Sequence, residues 1–228
     1  MNLRALIPGP VKKRLRYMHA VFTGRPVSRL FGYDRGTPID RLYIEHFLSG
    51  YCEDITGDVC EIAENTYTMK FAHSPFVSHV LHVVPGNPDA TFTGNLETGE
   101  NIPENAFDCM IITQTLAFVF DIHGFLKNCR RALKKGGVLL LTNPSVICPV
   151  SRYDMDRWGD YWRFTDLSMR KLLELYFPEE NISVKSYGNY YGACSFVAGK
   201  SVEDVSKKKL MLYDPDYPVN VCARAVKG

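Results

Sequence analysis

The chain has 228 residues, of which 46% are hydrophobic, and its formal net charge at pH 7 is +2. This length fits one large domain more readily than two, and this composition is typical of a globular protein with a full core. No apolar run approaches the roughly 20 residues of a membrane span. The near-neutral charge argues against nucleic-acid binding.

The seven cysteines are an odd number and include no CxxC pair, and several lie within apolar runs. This pattern favours reduced, buried thiols in a cytoplasmic protein over disulfides or a metal site. His79 and His82 lie three residues apart on a predicted strand, so they point to opposite faces and cannot share an ion. No metal is therefore expected.

Residues 1–36 read as an N-terminal basic and helical arm, and residues 37–228 as one domain. The arm has a basic cluster at positions 12–16 but no continuous apolar stretch, so a signal peptide is not expected. Its amphipathic helix either contacts an anionic surface or packs on the edge of the domain, and we favour the second interpretation.

In the first half of the domain, the sequence pattern predicts a helix followed by three strands. Apolar residues at helical spacing follow Pro38, and Ser49-Gly50 ends the helix. The predicted strands are 58–62, 78–84 and 90–93, and a polar turn and a short helix beginning at Tyr67 follow the first of them.

The second half predicts a parallel crossover. Residues 107–112 and 138–142 are buried strands, and the helix between them is capped by Asp121 and ended by Gly136-Gly137. Later elements are a helix capped by Thr165, a strand at 182–187, a mostly helical stretch at 190–209 and an alternating, antiparallel edge strand at 219–226.

Four blocks of the sequence resemble the class I S-adenosylmethionine-dependent methyltransferases. VCEI stands in the place of the first motif, FDCMIITQTL resembles the fourth-strand motif, and LKKGGVLLLTNP resembles the fifth-strand passage. DRWGDYWRFT resembles a segment of small, type 11-like methyltransferases associated with glycan biosynthesis. The resemblance covers about residues 38–226. It implies an α/β, Rossmann-like fold with a seven-stranded, mostly parallel sheet, helices on both faces and an antiparallel last strand.

The resemblance implies S-adenosylmethionine as cofactor and assigns positions to bind it. Glu61 matches the acid of the first motif, whereas Ala63, Glu64 and Asn65 replace its glycines, which normally allow close backbone approach. His82 lies near the place of the ribose-binding acid. The other implied cofactor-binding positions are Tyr67, Asn95, Leu96, Thr113 and Gln114.

Three recognition positions depart from the family pattern in the direction of weaker cofactor binding. The first motif lacks its glycines, and the neutral groups of His82 and Asn95 stand where the family usually has acids near the ribose and the adenine. These departures leave open a non-catalytic binding module that kept the fold, in which Glu64 or Tyr67 would plug the cleft. An epimerase acting on nucleotide sugars is a third idea, and the missing glycine fingerprint argues against it.

For the active enzyme we expect O-methylation of a small or glycan-linked hydroxyl. The candidate catalytic bases are His123 and Asp160, with Asp154 and Asp156 as alternatives. The aromatic and basic residues of the segment 151–164 are interpreted as binding a sugar or phosphate-sugar substrate or as anchoring a lid to the core. They are Tyr153, Arg157, Trp158, Tyr161, Trp162 and Arg163. Both interpretations can hold together, with some residues as anchors and Asp160 paired with Arg163. The pattern does not indicate an oligomeric state.

Overall fold

The computed structural model of the protein describes residues 22–228. Its centre is one seven-stranded sheet in the order β3-β2-β1-β4-β5-β7-β6. The strands are β1 Gly57–Ile62, β2 Phe76–His82, β3 Phe92–Thr93, β4 Phe107–Thr113, β5 Leu133–Pro144, β6 Ile182–Tyr187 and β7 Asn220–Val226.

The first five strands pair in parallel, whereas β7 is antiparallel to both of its neighbours. This confirms the predicted fold class, including the antiparallel last strand. The prediction that the last strand lies at an edge is wrong. β7 is inserted between β5 and β6, and both of its faces are largely buried, which its small side chains Ala223 and Ala225 permit.

Helices cover both faces of the sheet. α1 and α2 pack on one face through Phe47 and Tyr67, and α3 and α5 pack on the other through Phe125 and Met169. The helices are α1 Ile39–Ser49, α2 Thr66–Phe71, α3 Ile122–Ala132, α4 Arg152–Met155, α5 Asp166–Glu174, α6 Tyr190–Val197 and α7 Lys207–Leu210. No helix among residues 22–228 is both long and apolar enough to cross a membrane.

The strands β2 and β3 differ from their predicted bounds. β2 begins two residues earlier than predicted and ends at His82, because its pairing follows β1 from Gly57↔Phe76 to Ile62↔Leu81. Val83 and Val84 lie beyond the ladder and are exposed, although they continue the apolar run. β3 has two residues rather than four.

The end of α3 also differs from the prediction. The helix stops at Ala132, and Leu133 already pairs with Phe107 of β4. Lys134 does not lie in the last turn of the helix; its Nζ lies 2.7 Å from a carboxylate oxygen of both Asp58 and Asp108. This cation therefore joins the starts of β1 and β4.

The stretch 190–209 is helical only in parts. α6 ends at Val197, Gly199 takes a left-handed backbone (φ +72°), and a 3-10 turn at Val202–Asp204 precedes α7. Glycine tolerates such a φ, so the helix ends there.

The basic cluster of the predicted arm lies outside the described residues. The rest of the arm, residues 22–36, contacts the domain: Val27 N donates to Ala198 O at 2.8 Å, and Arg35 forms an ion pair with Asp204 at 2.6 Å. The predicted boundary between the arm and the domain stays a prediction.

Candidate active site

A cleft of about 750 Å³ lies at the carboxyl ends of β4 and β5. Thr113, Gln114 and Pro144 come from the strand ends, and the first turn of α1 and the segments 26–33 and 148–163 also contribute to its lining. Ligands of open α/β sheets bind at this edge, outside the carboxyl ends of the strands.

Gln114 lies in this cleft under unusual constraints. Its backbone takes a left-handed conformation with φ +53°, which is uncommon for a residue other than glycine. Its N–H still donates to Thr142 O at 2.8 Å, which extends the β4–β5 ladder. Its side-chain Nε2 is buried without a partner among the described residues. A buried amide without a partner is costly, and a ligand would relieve that cost.

Further unpartnered polar atoms surround Gln114. Of the six buried side-chain N and O atoms without a partner in residues 22–228, three others are Asp40 Oδ1, Thr142 Oγ1 and Asn143 Oδ1. Thr142 and Asn143 directly precede Pro144, the last residue of β5, and Asp40 lines the cleft from the first turn of α1. Unmet hydrogen-bonding capacity is therefore concentrated at this edge of the sheet.

Arg41 provides a fixed positive charge on the cleft wall. Its guanidinium donates to the hydroxyls of Tyr33 and Tyr67, each at 2.9 Å. Burial alone would lower the pKa of Arg41, but the neighbouring Asp40, Tyr67 and Tyr33 raise it above its ordinary value. The bond to Tyr67 links this charge to the turn after β1.

Asp40 brings a carboxylate to the cleft from the first turn of α1. Burial raises the pKa of its carboxyl, and the charge of Arg41 offsets only part of this effect. A carboxylate with a raised pKa and an unpartnered oxygen is better suited to accept a proton than an ordinary carboxylate.

Asp160 has a different role in the cleft. Its carboxylate, 1% exposed, accepts two hydrogen bonds from Arg163 and one from the N–H of Ser151. Burial alone would raise the pKa of Asp160, but the bonds from Arg163 and Ser151 hold it below its ordinary value. Arg163 also donates to the carbonyls of Cys148 and Pro149. This pair therefore clamps the segment 148–163 in place.

Glu61 is buried and holds the N-terminus of α2. Its carboxylate accepts from the N–H of Tyr67 at 3.2 Å, and from the N–H and hydroxyl of Thr68 at 2.8 and 2.9 Å. Burial raises the pKa of Glu61, although these bonds oppose the shift. In this structure the acid of the first motif organises the turn.

The turn itself has the backbone of a glycine turn without the glycines. Ala63 has φ +69° and is exposed, as is Glu64. Asn65 does not face the cleft, since its Nδ2 donates to Ser78 Oγ at 3.1 Å. Tyr67 is buried, whereas the exposed Glu64 does not plug the turn. Asn87, from the loop after β2, donates its Nδ2 to Ala63 O at 2.7 Å.

His82 ends β2, as expected for the residue near the place of the family's ribose-binding acid. Its Nδ1 lies 2.7 Å from Val84 O and 3.3 Å from Val84 N. The shorter contact requires a proton on Nδ1, since two acceptors at that distance would repel. The neutral ring then offers Nε2 as an acceptor.

Asn95 and Leu96 make contacts within their own part of the structure. Asn95 Oδ1 accepts from the N–H of Glu97 at 2.8 Å and so closes a local turn. Leu96 is buried in the main core, and its carbonyl accepts from Asn128. Neither residue lines the cleft.

The two predicted catalytic residues are not brought together at the cleft. His123 is exposed on α3, its Nδ1 lies 2.9 Å from Tyr176 Oη, and it does not line the cleft that Asp160 lines.

Of the predicted substrate residues, Tyr153 and Arg163 line the cleft. Arg157 stacks on the Tyr153 ring, 3.5 Å from its centroid. Tyr161 and Trp162 form an exposed aromatic cluster with Phe120, at ring-centroid distances of 5.3 and 6.3 Å from it. Trp158 contacts His82.

The sequence analysis missed Asp40, Arg41 and the segment 26–33. A charged pair in the first turn of a helix whose apolar face packs on the sheet was a signal for Asp40 and Arg41. No motif marks residues 26–33, whose role depends on long-range packing such as that of Phe31 against Phe196.

The profile of the family described as "Methyltransferase domain" matches residues 68–141, about a third of the chain. A comparison with curated protein sequences finds no match. A SAM-dependent methyltransferase from Archaeoglobus fulgidus is similar in structure, with TM-score 0.53 and 11% identity over 82% of this chain and 94% of that chain. One from Mesorhizobium loti has TM-score 0.52 and 13% identity over 86% and 100%.

Phosphoethanolamine N-methyltransferase 2 of Haemonchus contortus, in complex with S-adenosyl-L-methionine, has TM-score 0.51 and 13% identity over 75% of this chain and 49% of that chain. At these identities the likeness establishes the fold alone. The chain thus has the fold of these methyltransferases.

Proposed function

We propose that the protein is an S-adenosylmethionine-dependent methyltransferase that methylates a hydroxyl of a small or glycan-linked acceptor. The observation that carries the proposal is Gln114, a strained residue at the carboxyl end of β4 whose buried amide lacks a partner. Strained residues and unmet buried polar groups are concentrated at functional sites.

The residues at this edge fit such a cofactor. His82 Nε2 can accept from a ribose hydroxyl, Arg41 can neutralise a carboxylate, and the Gln114 amide can donate. The positive φ of Ala63 keeps the backbone path of a glycine turn. When bound, the cofactor supplies an electrophilic methyl group on a sulfonium.

Asp40 is the base that we assign to the reaction. A hydroxyl becomes nucleophilic as it loses its proton, and a carboxylate with a raised pKa holds that proton better than an ordinary one. Asp160 is less suited to this role, because its oxygens already accept from Arg163 and its pKa is lowered. It positions the substrate segment instead.

The acceptor side lies along the segment 148–163. Tyr153 lines the cleft, and the exposed cluster of Phe120, Tyr161 and Trp162 adjoins the turn after β4, where Trp162 Nε1 donates to Val119 O at 3.0 Å. Aromatic faces stack on the apolar faces of sugars. This supports a glycan-linked acceptor over a purely aliphatic one.

A non-catalytic binding module is the second candidate. The observations that favour it are the Asn87 amide on Ala63 O and the buried Tyr67 in the turn. The Asn87 amide uses a hydrogen bond of the turn, and the Tyr67 side chain fills space there, so both would compete with a cofactor.

Calorimetric titration with S-adenosylhomocysteine, the demethylated product of the cofactor, separates the two candidates. We expect binding in the micromolar to millimolar range, and no heat at millimolar ligand would reject the enzyme.

For an acceptor that is turned over, kcat/KM should rise as pH rises through the raised pKa of Asp40. Asp40→Asn should abolish most of the rate but retain cofactor binding. An active variant with an unchanged pH profile would exclude Asp40 as the base.

A further inference from the structure

A cysteine, a glutamate and a histidine meet near the amino ends of β1 and β2, whereas the cleft lies at the carboxyl ends of β4 and β5. Cys52 and Glu53 lie in the 3-10 turn Cys52–Asp54 that precedes the amino end of β1. His73 lies between α2 and the amino end of β2. The ligand atoms of the three residues all lie within 4.8 Å of one another, and His73 Nδ1 is 3.4 Å from Glu53 Oε2.

The backbone holds these two segments together. His73 N donates to Ile55 O at 2.8 Å, and Gly57 N donates to Pro75 O at 3.1 Å. The hydroxyl of Thr56 also donates to Pro75 O, at 3.0 Å. The proximity of the three side chains therefore follows from hydrogen-bonded backbone on both sides of the cluster.

We propose that Cys52, Glu53 and His73 form a binding site for a thiophilic divalent ion such as Zn²⁺. A thiolate, an imidazole and a carboxylate are zinc ligands, whereas Mg²⁺ and Ca²⁺ take oxygen ligands. Three protein ligands leave the fourth position of a tetrahedral ion for water.

The geometry is within reach of the side chains. Metal–ligand distances of 2.0–2.3 Å imply ligand atoms about 3.5 Å apart in a tetrahedral site. Glu53 and His73 have exposed side chains, 83% and 49%, so rotation can bring their atoms to that separation. Asp54 does not compete, since both of its oxygens accept from Arg224.

Binding would clamp the segment before β1 to the segment before β2. An ion that binds only the folded state raises its stability by mass action. This inference is independent of the proposed methyl transfer.

The test uses the tag-free full chain stripped with a chelator and then titrated with Zn²⁺ alone, or with Co²⁺ as a spectroscopic probe. We expect one ion per chain, a thiolate-to-Co²⁺ charge-transfer band and a higher Tm with Zn²⁺. Cys52→Ser and His73→Gln should each weaken binding at least tenfold and remove the band. Cys194→Ser and His46→Gln are matched controls, a half-buried cysteine and an exposed histidine elsewhere, and should retain both.

Alkylation of the unmutated chain supplies a measurement that does not depend on how a variant folds. Zn²⁺ should slow the modification of Cys52 but not that of Cys194. Equal rates of Cys52 modification with and without Zn²⁺ would overturn the proposal. Equal affinity for Zn²⁺ in the unmutated chain and in Cys52→Ser would also overturn it.

Discussion

The imidazole of His82 meets the indole of Trp158 edge-on, with their ring centroids 6.1 Å apart. His82 ends β2, and Trp158 belongs to the segment that follows β5. Since β1 and β4 lie between these strands, this contact bridges the carboxyl edge of the sheet.

A cofactor that binds beside His82 should therefore change the emission of Trp158. The chain has two tryptophans, so Trp162→Phe leaves Trp158 as the sole indole reporter. We expect S-adenosylhomocysteine to shift the fluorescence of Trp162→Phe but not that of Trp158→Phe. Calorimetric binding without any change in Trp158 emission would place the ligand away from His82.

The strain at Gln114 predicts opposite effects on stability and on binding. A left-handed backbone costs a residue with a Cβ roughly 1 kcal/mol relative to glycine. Gln114→Gly should therefore be about 1 kcal/mol more stable to urea than Gln114→Ala. Both should bind S-adenosylhomocysteine about tenfold more weakly, because the amide donor is lost. Unchanged affinity in both variants would show that Gln114 does not contact the ligand.

Ala63→Gly should improve the altered turn. Ala63 is exposed and has φ +69°, so glycine removes backbone strain there without leaving a cavity. We expect a gain of up to about 1 kcal/mol in the free energy of unfolding and tighter binding of S-adenosylhomocysteine. Ala198→Gly, at a right-handed position with φ −70°, is the matched control and should not stabilise the chain. Unchanged affinity for S-adenosylhomocysteine in Ala63→Gly would contradict the cofactor role of this turn.

The pair formed by Asp160 and Arg163 should make stability depend on pH. The folded-state pKa of Asp160 is below its ordinary value, so its contribution is present above that value and is lost as pH falls through the folded pKa. Arg163→Met should cost about 3 kcal/mol at pH 7, because a buried carboxylate loses its partner.

This cost should shrink in acid, where Asp160 takes up a proton in the variant first. Urea unfolding of the unmutated chain and of Arg163→Met between pH 3 and pH 7 measures the difference in their free energies of unfolding. In the double variant Asp160→Asn and Arg163→Met, the loss in the free energy of unfolding should no longer depend on pH through Asp160. A difference that stays constant over this range would mean that another contact of Arg163 dominates.

Much of the sheet was predictable from local patterns. Phe107–Ile112 is a nearly continuous apolar run and forms a strand covered on both faces, as the pattern indicates. The ends of the strands and helices were less predictable, because the neighbouring strand with which a segment pairs determines where the element ends. Val83 continues the apolar run of β2 but has no partner strand, and Leu133 continues the stripe of α3 but pairs with Phe107.

The site was predictable only where a motif marks the residue. Thr113 and Gln114 follow a recognisable strand and do line the cleft. The pairing of Asp160 with Arg163 could be inferred from their three-residue spacing, and the structure shows it. The sequence does not reveal that Glu61 binds the amides of α2 or that Ser151 donates to Asp160, since these are choices among local hydrogen-bond partners. Asp40 and Arg41 reach the cleft through the packing of α1 on the sheet.

The position of β7 has a consequence for how the chain is made. Within residues 22–228, β6 pairs with β7 alone, and β7 also covers the open edge of β5. During synthesis β6 emerges before its partner exists, so the sheet stays incomplete until residues 220–226 follow. Until then β5 presents an unpaired apolar edge, which favours association between chains. Deletion of residues 220–226 should therefore lower the soluble yield of the chain.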